Sequence, residues 1–311
     1  ITFMKGLGSL WDKTERLKKH CQVLSTFFPR ADLKKLEQSA HYSKVDLPSG
    51  VIYEFPELQG VMGTIYARHA HLDEEVAKSI DEHWMPRGEN APLPTTQTGV
   101  ILSLADKIDN LISCFGLGLK PSSSSDPYAL RRQVLGLIRI LLQEKVNLPL
   151  KEVILGCIDH FGKLGSPKEV LSEDISQFIL NRIRTVYLDY SFTKDEIEAS
   201  LASGFNDIFD SFCRIGALSA FRKQNAEFPA LLEVYKRAKG QIQNDKTLEL
   251  VAINLKEPAE KELHSSFEKA NKEVVAALSN KDYSRAFQHL ATLKLPLAKL
   301  FDEVKILDDD P

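Results

Sequence analysis

Apolar residues recur along most of this chain at three- and four-residue intervals, the period of one helix face. No stretch alternates apolar with polar residues for more than a few positions, so the pattern predicts an all-α fold with few or no strands. The clearest stripe joins Leu130, Val134, Leu137, Ile138 and Leu141. Asp126-Pro127 precedes it and reads as an N-cap followed by proline at the first helical position. A second stripe, starting near Gly99, joins Val100, Leu104, Ile108, Leu111, Ile112 and Phe115 until Gly116 and Gly118 stop it. The opposite face of that helix carries Asp106 and Asp109. The densest apolar run, Val134 to Leu142, is broken by Gly136 and Arg139, far short of the roughly 20 apolar residues of a membrane span. A soluble protein is expected.

Two segments interrupt the helical pattern: the Pro- and Gly-rich Pro86 to Pro94, and the Ser-rich connector Lys120 to Pro127. A third break, Gly162 to Pro167, precedes a long helical stretch from about Asp174 to Val304, punctuated by Gly204, Gly216, Pro229 and Gly240. These breaks suggest three parts, 1–120, 121–170 and 171–311. No repeat of 20 to 50 residues is present.

Length and composition narrow the picture. At 311 residues, with 43% hydrophobic and 27% charged residues, the chain has the balance of a globular protein of about two domains. A net charge of -3 gives no global cationic field, so any nucleic-acid contact must come from local basic patches. Four cysteines, Cys21, Cys114, Cys157 and Cys213, lie far from C-x-x-C spacing and read as reduced thiols. The first residues lack an initiator Met and a long apolar core, so they are not read as a signal peptide but as part of a longer chain.

Candidate chemistry is sparse. Gly116-Leu117-Gly118-Leu119-Lys120 does not match a phosphate loop and follows a helix, which makes it a helix cap. No nucleophile elbow, H-E-x-x-H or Cys–His pairing at a recognisable spacing occurs. His20, His41, Asp46, His69, His71, His83, Asp106 and Asp109 offer imidazole and carboxylate groups that suit a divalent metal. Their order resembles the helical HD phosphohydrolase family, in which such side chains hold a metal that activates water. That family needs an adjacent His-Asp pair, whereas the matching pair here is Val45-Asp46. His83 also shares a stripe with Val76, Ile80 and Trp84, as a core histidine does.

Basic residues are the other candidates. Arg132 and Arg139 project together opposite the apolar stripe of their helix, and Arg131 borders it. Further on, Asn181-Arg182-Ile183-Arg184, Phe221-Arg222-Lys223 and Tyr235-Lys236-Arg237-Ala238-Lys239 interleave cations with apolar or aromatic residues. Such clusters grip phosphates and stack unpaired bases, or simply form a solvated face. Tyr235 shares a stripe with Leu231, Val234 and Ala238, which reads as core.

Specific strings go further. Gly8-Ser9-Leu10-Trp11-Asp12-Lys13-Thr14-Glu15-Arg16, Glu54-Phe55-Pro56-Glu57-Leu58-Gln59-Gly60-Val61-Met62-Gly63, Asp81-Glu82-His83-Trp84-Met85-Pro86-Arg87, Leu104-Ala105-Asp106-Lys107-Ile108-Asp109 and Asp126-Pro127-Tyr128-Ala129-Leu130-Arg131-Arg132 closely resemble the β subunit of the bacterial-type glycyl-tRNA synthetase, as does the tail from Phe301 to Asp310. The resemblance covers essentially the whole chain and implies the C-terminal part of that subunit, or of an α–β fusion. It implies an HD-like helical domain over 1–120, a helical connector over 121–170 and an anticodon-binding helical bundle over 171–311.

The resemblance further implies a cytoplasmic partner in ATP-dependent glycylation, with glycine, ATP and Mg²⁺ held by an α part and no catalytic, metal or cofactor site in this chain. The expected partners are tRNA-Gly, the catalytic α subunit or fused α part, and a higher oligomer of the complete enzyme. The candidate RNA-binding residues are Arg131, Arg132, Arg182, Arg184, Arg222, Lys223, Lys236, Arg237 and Lys239. Arg131 and Arg132 belong to the family's Asp-Pro-x-Ala-Leu-Arg-Arg motif, which leaves tRNA contact and a structural role both open. The competing readings are an HD-type metal-dependent phosphohydrolase and a helical docking scaffold without RNA contact.

Overall fold

A computed structural model describes residues 1–122, 124–224, 226–241 and 255–304. The last six residues of the tail string, 305–310, lie outside them, as does Ser123 in the serine connector. The described residues are helical throughout, with one isolated antiparallel bridge between Thr2 and Ser9 and no strand. The chain separates into two compact units, one of residues 1–191 with 203–212 and the other of 192–202 with 213–311. The helices between 121 and 191 thus pack in the same unit as those before them.

The first unit contains α1 (Leu10–Ser25), α2 (Leu33–Tyr42), the short α3 (Gly50–Glu54), α4 (Val61–His69), α5 (Glu74–Glu82), α6 (Gln97–Gly116), α7 (Leu130–Glu144), α8 (Leu150–Ile158) and α9 (Lys168–Asp189). Local sequence sets most of their ends. Ser9 and Asp12 form a reciprocal capping box at the start of α1, and Asp32, Ser49, Asp73 and Thr96 accept hydrogen bonds from first-turn amides of α2, α3, α5 and α6. No residue adjoining α4, α7, α8 or α9 caps it through a side chain, and α7 begins at Leu130, three residues after the expected Pro127. Ala129 adopts a left-handed conformation with φ of 52° and turns the chain just before the helix. Asp126 still caps it from a distance, its carboxylate accepting from the amides of Leu130 at 2.8 Å and Arg131 at 2.9 Å.

Around α6 the unit is built in layers. It packs against α1, α2 and α5 on one side and α7, α8 and α9 on the other. Nearly every residue of α6 is therefore buried, including Asp106, Lys107 and Asp109. The face opposite the Val100–Phe115 stripe, which carries Asp106 and Asp109, is buried as well, and its charges are neutralised inside the protein.

In the second unit α10 (Lys194–Ala202) and most of α11 (Ile208–Gln224) precede α12 (Phe228–Gln241), α13 (Pro258–Ser279), α14 (Tyr283–Ala291) and α15 (Lys294–Glu303). Here α13 packs against α14 and α15, and α12 against the same pair. Phe221 is buried and packs against Phe228 and Phe287, with ring centroids 6.5 and 5.7 Å away. Of the expected helix breakers, Gly216 and Gly240 lie inside α11 and α12, and Pro229 lies in the first turn of α12, where its missing N–H has no intrahelical partner to lose. Only Gly204, with φ of 111°, stands in a loop.

Candidate functional site

Lys13, Arg16 and His20 follow one another at i, i+3 and i+7 on α1, and Asp106, Asp109 and Asn110 at i, i+3 and i+4 on α6, so each set lies on one helix face. Packing of the two helices brings the faces together. Lys13 Nζ lies 3.1 Å from Asp106 Oδ1 and donates to Asp109 Oδ2 and Asn110 Oδ1, each at 2.8 Å. Arg16 Nε donates to Asp109 Oδ1 at 2.8 Å, and its Nη1 reaches the Leu7 carbonyl at 3.2 Å. His20 Nε2 stands 3.3 Å from Asp109 Oδ1, and its Nδ1 is 2.9 Å from Nδ1 of His160.

A third cation enters from beyond the end of α2. Lys44 Nζ lies 3.1 Å from Asp106 Oδ1 and 2.7 Å from His83 Nε2. His83 Nδ1 is 2.7 Å from the Ile80 carbonyl, which can only accept, so Nδ1 carries the proton and Nε2 accepts from Lys44. Lys107 Nζ donates to the Met85 carbonyl and to Ser103 Oγ, both at 2.7 Å. Asn110 links the cluster to α7 through Gln133 at 2.8 Å.

The electrostatics follow from burial and pairing. Burial disfavours both carboxylates in charged form, yet Lys13 and then Lys44 hold Asp106 well below the usual carboxylate range. Asp109 is likewise held low against burial, first by Lys13 and then by hydrogen bonds from His20 and Arg16. Burial opposes the charge on Lys13 too, but Asp106 and Asp109 raise its pKa above the ordinary lysine value. Burial, partly countered by Asp106, lowers Lys44 to about 8, and it lowers Lys107 to about 8 as well. Burial and then the nearby Lys44 charge keep His83 neutral.

This arrangement does not suit a metal. Lys13 and Lys44 flank Asp106, Lys13 and Arg16 hold Asp109, and His83 offers its lone pair to Lys44. Asp46 Oδ2 accepts from the amides of Gly60 at 2.6 Å and Gly63 at 3.1 Å, where it caps α4. His69 and His71 are exposed, and His41 packs edge-on against Trp11 and Tyr42. Among the described residues no group of three or more His, Cys, Asp or Glu side chains is arranged to hold a metal ion. The HD-type hydrolase reading is not favoured. Val45, expected to mark the missing ligand, is 45% exposed; the group that enters the cluster is its neighbour Lys44. The spacing of Lys13, Arg16 and His20 on one helix face was the sequence signal for this cluster. Nothing local marked Lys44.

All four cysteines are free thiols. Burial raises Cys114 to about 11 and pushes Cys21 and Cys157 higher still, so none of these three is a ready nucleophile at neutral pH.

Packing divides the expected RNA-binding cations into engaged and unengaged groups. In the first unit, Arg131 donates to the Ser122 carbonyl and approaches Asp126 at 3.9 Å, which ties it to the turn before α7. Arg132 is exposed with no carboxylate partner among the described residues. Arg139, expected to project beside it, instead donates to the carbonyls of Gly88, Glu89 and Ala91 and holds that loop. Arg182 is half-buried with its Nε unpaired, and Arg184 donates to Asn181 at 3.2 Å.

In the second unit, Arg222 pairs with buried Glu196 at 2.9 Å. Arg237 pairs with Glu233 at 3.0 Å and lies over the Phe301 ring, while Lys294 reaches the same glutamate at 3.3 Å. Lys223, Lys236 and Lys239 are exposed without a carboxylate partner among the described residues. Tyr235, read from the sequence as core, is exposed. Because α12 is covered by α14 and α15 on one side only, Leu231 and Val234 turn inward and the adjoining position turns out.

A family model described as the glycyl-tRNA synthetase beta subunit matches residues 1–202. The glycine–tRNA ligase beta subunit of Desulforamulus reducens is 35% identical over 100% of this chain and 45% of its own length. That of Syntrophomonas wolfei is 36% identical over the same shares, and that of Clostridioides difficile 34%. The chain thus spans about 45% of the length of the curated relatives it matches.

Proposed function

Because this chain belongs to the glycyl-tRNA synthetase beta subunit family, we propose that it binds tRNA-Gly and positions it for ATP-dependent glycylation by a separate or fused α part. Glycine, ATP and Mg²⁺ are then held by the α part, in a cytoplasmic assembly of α and β parts. On this reading residues 1–120 form an HD-like domain that no longer hydrolyses, 121–170 a connector, and 171–311 a bundle that takes the anticodon arm, together making up the C-terminal part of a longer subunit.

The supporting observation concerns the candidate cations themselves: of these, Arg132, Lys223, Lys236 and Lys239 are exposed without carboxylate partners among the described residues. In a chain of net charge -3, cations left unpaired at the surface are where a polyanion gains most. Of the other candidates, Arg131, Arg184, Arg222 and Arg237 already have protein partners, and Arg182 is half-buried. The buried cluster supports a non-catalytic role for this part, since its carboxylates and His83 are committed to ammonium and guanidinium groups.

Equilibrium binding of the chain to tRNA-Gly and to a non-cognate tRNA, titrated across salt, tests the proposal. Preference for tRNA-Gly with a negative log–log salt slope is expected. No binding at low salt, together with tight association with the α part, would favour the docking-scaffold reading instead.

A further inference from the structure

We infer that Tyr235 is a base-stacking residue, its exposed ring taking an unpaired base of bound RNA while Lys236 and Lys239 meet the adjoining phosphates. The inference rests on the RNA-binding reading above and assigns the kind of contact made at one place on the surface.

Leu232, Tyr235, Lys236 and Lys239 fall at i, i+3, i+4 and i+7 of α12, which places them along one helix face, and all four are exposed. Tyr235 is 57% exposed, with Lys239 Nζ 5.5 Å from its ring centroid. The inward side of the helix is occupied by half-buried Leu231 and Val234, with Arg237 held between Glu233 and the Phe301 ring. Glu233 is also paired with Lys294, so this carboxylate, close to Tyr235 along the helix, is neutralised by two other cations. An aromatic ring in water beside two unpaired ammonium groups is the combination by which single-stranded nucleic acid is held: a π-face for the base and point charges for the backbone.

Two other exposed rings, Tyr53 and Phe267, lack that combination. Tyr53 is more exposed, at 85%, but it adjoins Glu54 and lies near Glu57, with no cation in its segment. Phe267, 47% exposed on α13, has Leu263, His264, Ala270 and Asn271 at helical spacing and no lysine or arginine. Only on α12 do ring and unpaired cations share a face among these three.

The test compares the wild-type chain with Tyr235→Ala, Tyr235→Phe and the double variant Lys236→Gln/Lys239→Gln, each titrated with a tRNA-Gly transcript over a range of salt. Tyr235→Ala is expected to weaken binding by about 5- to 100-fold at fixed salt while leaving the salt slope unchanged. Tyr235→Phe, which keeps the ring, is expected to bind as the wild type does. The lysine variant is expected to reduce the slope by about one for each charge removed. Circular-dichroism melting checks that α12 remains folded in every variant. Wild-type binding with an unaltered Tyr235→Ala affinity, or an equal loss in Tyr235→Phe, would overturn the stacking assignment alone. A wild-type chain that binds no tRNA would overturn the RNA-binding reading and this assignment with it.

Discussion

Lys44 donates from Nζ to Nε2 of His83 across 2.7 Å, inside a protein core that excludes water from both. The same ammonium lies 3.1 Å from Asp106, which makes Lys44 the link between a neutral imidazole and a buried carboxylate. Replacing it with methionine keeps the bulk but leaves His83 Nε2 without its donor and Asp106 with Lys13 as its remaining cation. Lys44→Met is expected to lower unfolding stability by about 3 kcal/mol, read from urea denaturation. It should also raise the His83 pKa, because Lys44 disfavours the protonated ring, and an NMR titration of that histidine checks the direction.

Asp109 is the anchor of the cluster, fully buried and facing Lys13, Arg16 and His20. Asp109→Asn removes the charge but not the volume, so the two cations beside it lose their counter-charge in a water-free site. A loss of about 3 to 5 kcal/mol is expected in guanidinium unfolding. A variant as stable as the parent would show that the cluster relaxes or hydrates, contrary to the packing described above.

Stability should decline on mild acidification. Burial, with the neighbouring His20 charge adding to it, lowers His160 to about 4; burial also lowers His20 and holds His83 well below the ordinary histidine value. Unfolded histidines titrate near pH 6.5, so below that point the unfolded chain takes up protons that the folded chain refuses. The stabilisation is complete above about pH 7 and is lost progressively as pH falls toward 4. Below about pH 4 the depressed carboxyls of Asp106 and Asp109 add a second loss. Urea midpoints measured from pH 7.5 down to about 4.5 should fall continuously.

Restoring the histidine that an HD metal centre places before its aspartate should restore nothing. Val45 is exposed, Asp46 is taken up by the amides of Gly60 and Gly63, and Asp106 is paired with Lys13 and Lys44. Val45→His is expected to bind no more Mn²⁺ or Zn²⁺ than the parent chain, measured by elemental analysis after dialysis.

Gly60 occupies a position that only glycine fits. Its φ is 84°, and a Cβ there would stand 2.5 Å from Trp84 Cδ1 and 3.0 Å from the Asp81 backbone. Its amide is also one of the two that Asp46 caps. Gly60→Ala is expected to cost about 1 to 3 kcal/mol through backbone strain, with further loss from the clash, and thermal unfolding reads the effect.

Much of the helix inventory was legible because it depends on neighbours in sequence. The stripes of α6 and α7 appear where the three- and four-residue spacing placed them, and the family strings of the first two hundred residues agree with the match over 1–202. The start of α7 was misplaced because Asp126 was read as an adjacent cap, whereas its carboxylate reaches four and five residues ahead across a left-handed Ala129. Gly216 and Gly240 looked like breaks because their cost within a helix, about 1 kcal/mol, is set by propensity, and tertiary packing overrides a term of that size.

The sequence by itself determined the helical class, the family, and the candidate residues that carry charge or chemistry, since each depends on composition, periodicity or contiguous strings. Only the tertiary structure decided what those residues face. It buried Asp106 and Asp109 against Lys13, Arg16 and Lys44, tied Arg222 and Arg237 to glutamates, and left Lys223, Lys236, Lys239 and Tyr235 in solvent. The physical reason is that charge pairing and burial are set by residues far apart in the chain: Lys13 meets Asp109 across 96 positions, and no local spacing encodes that distance.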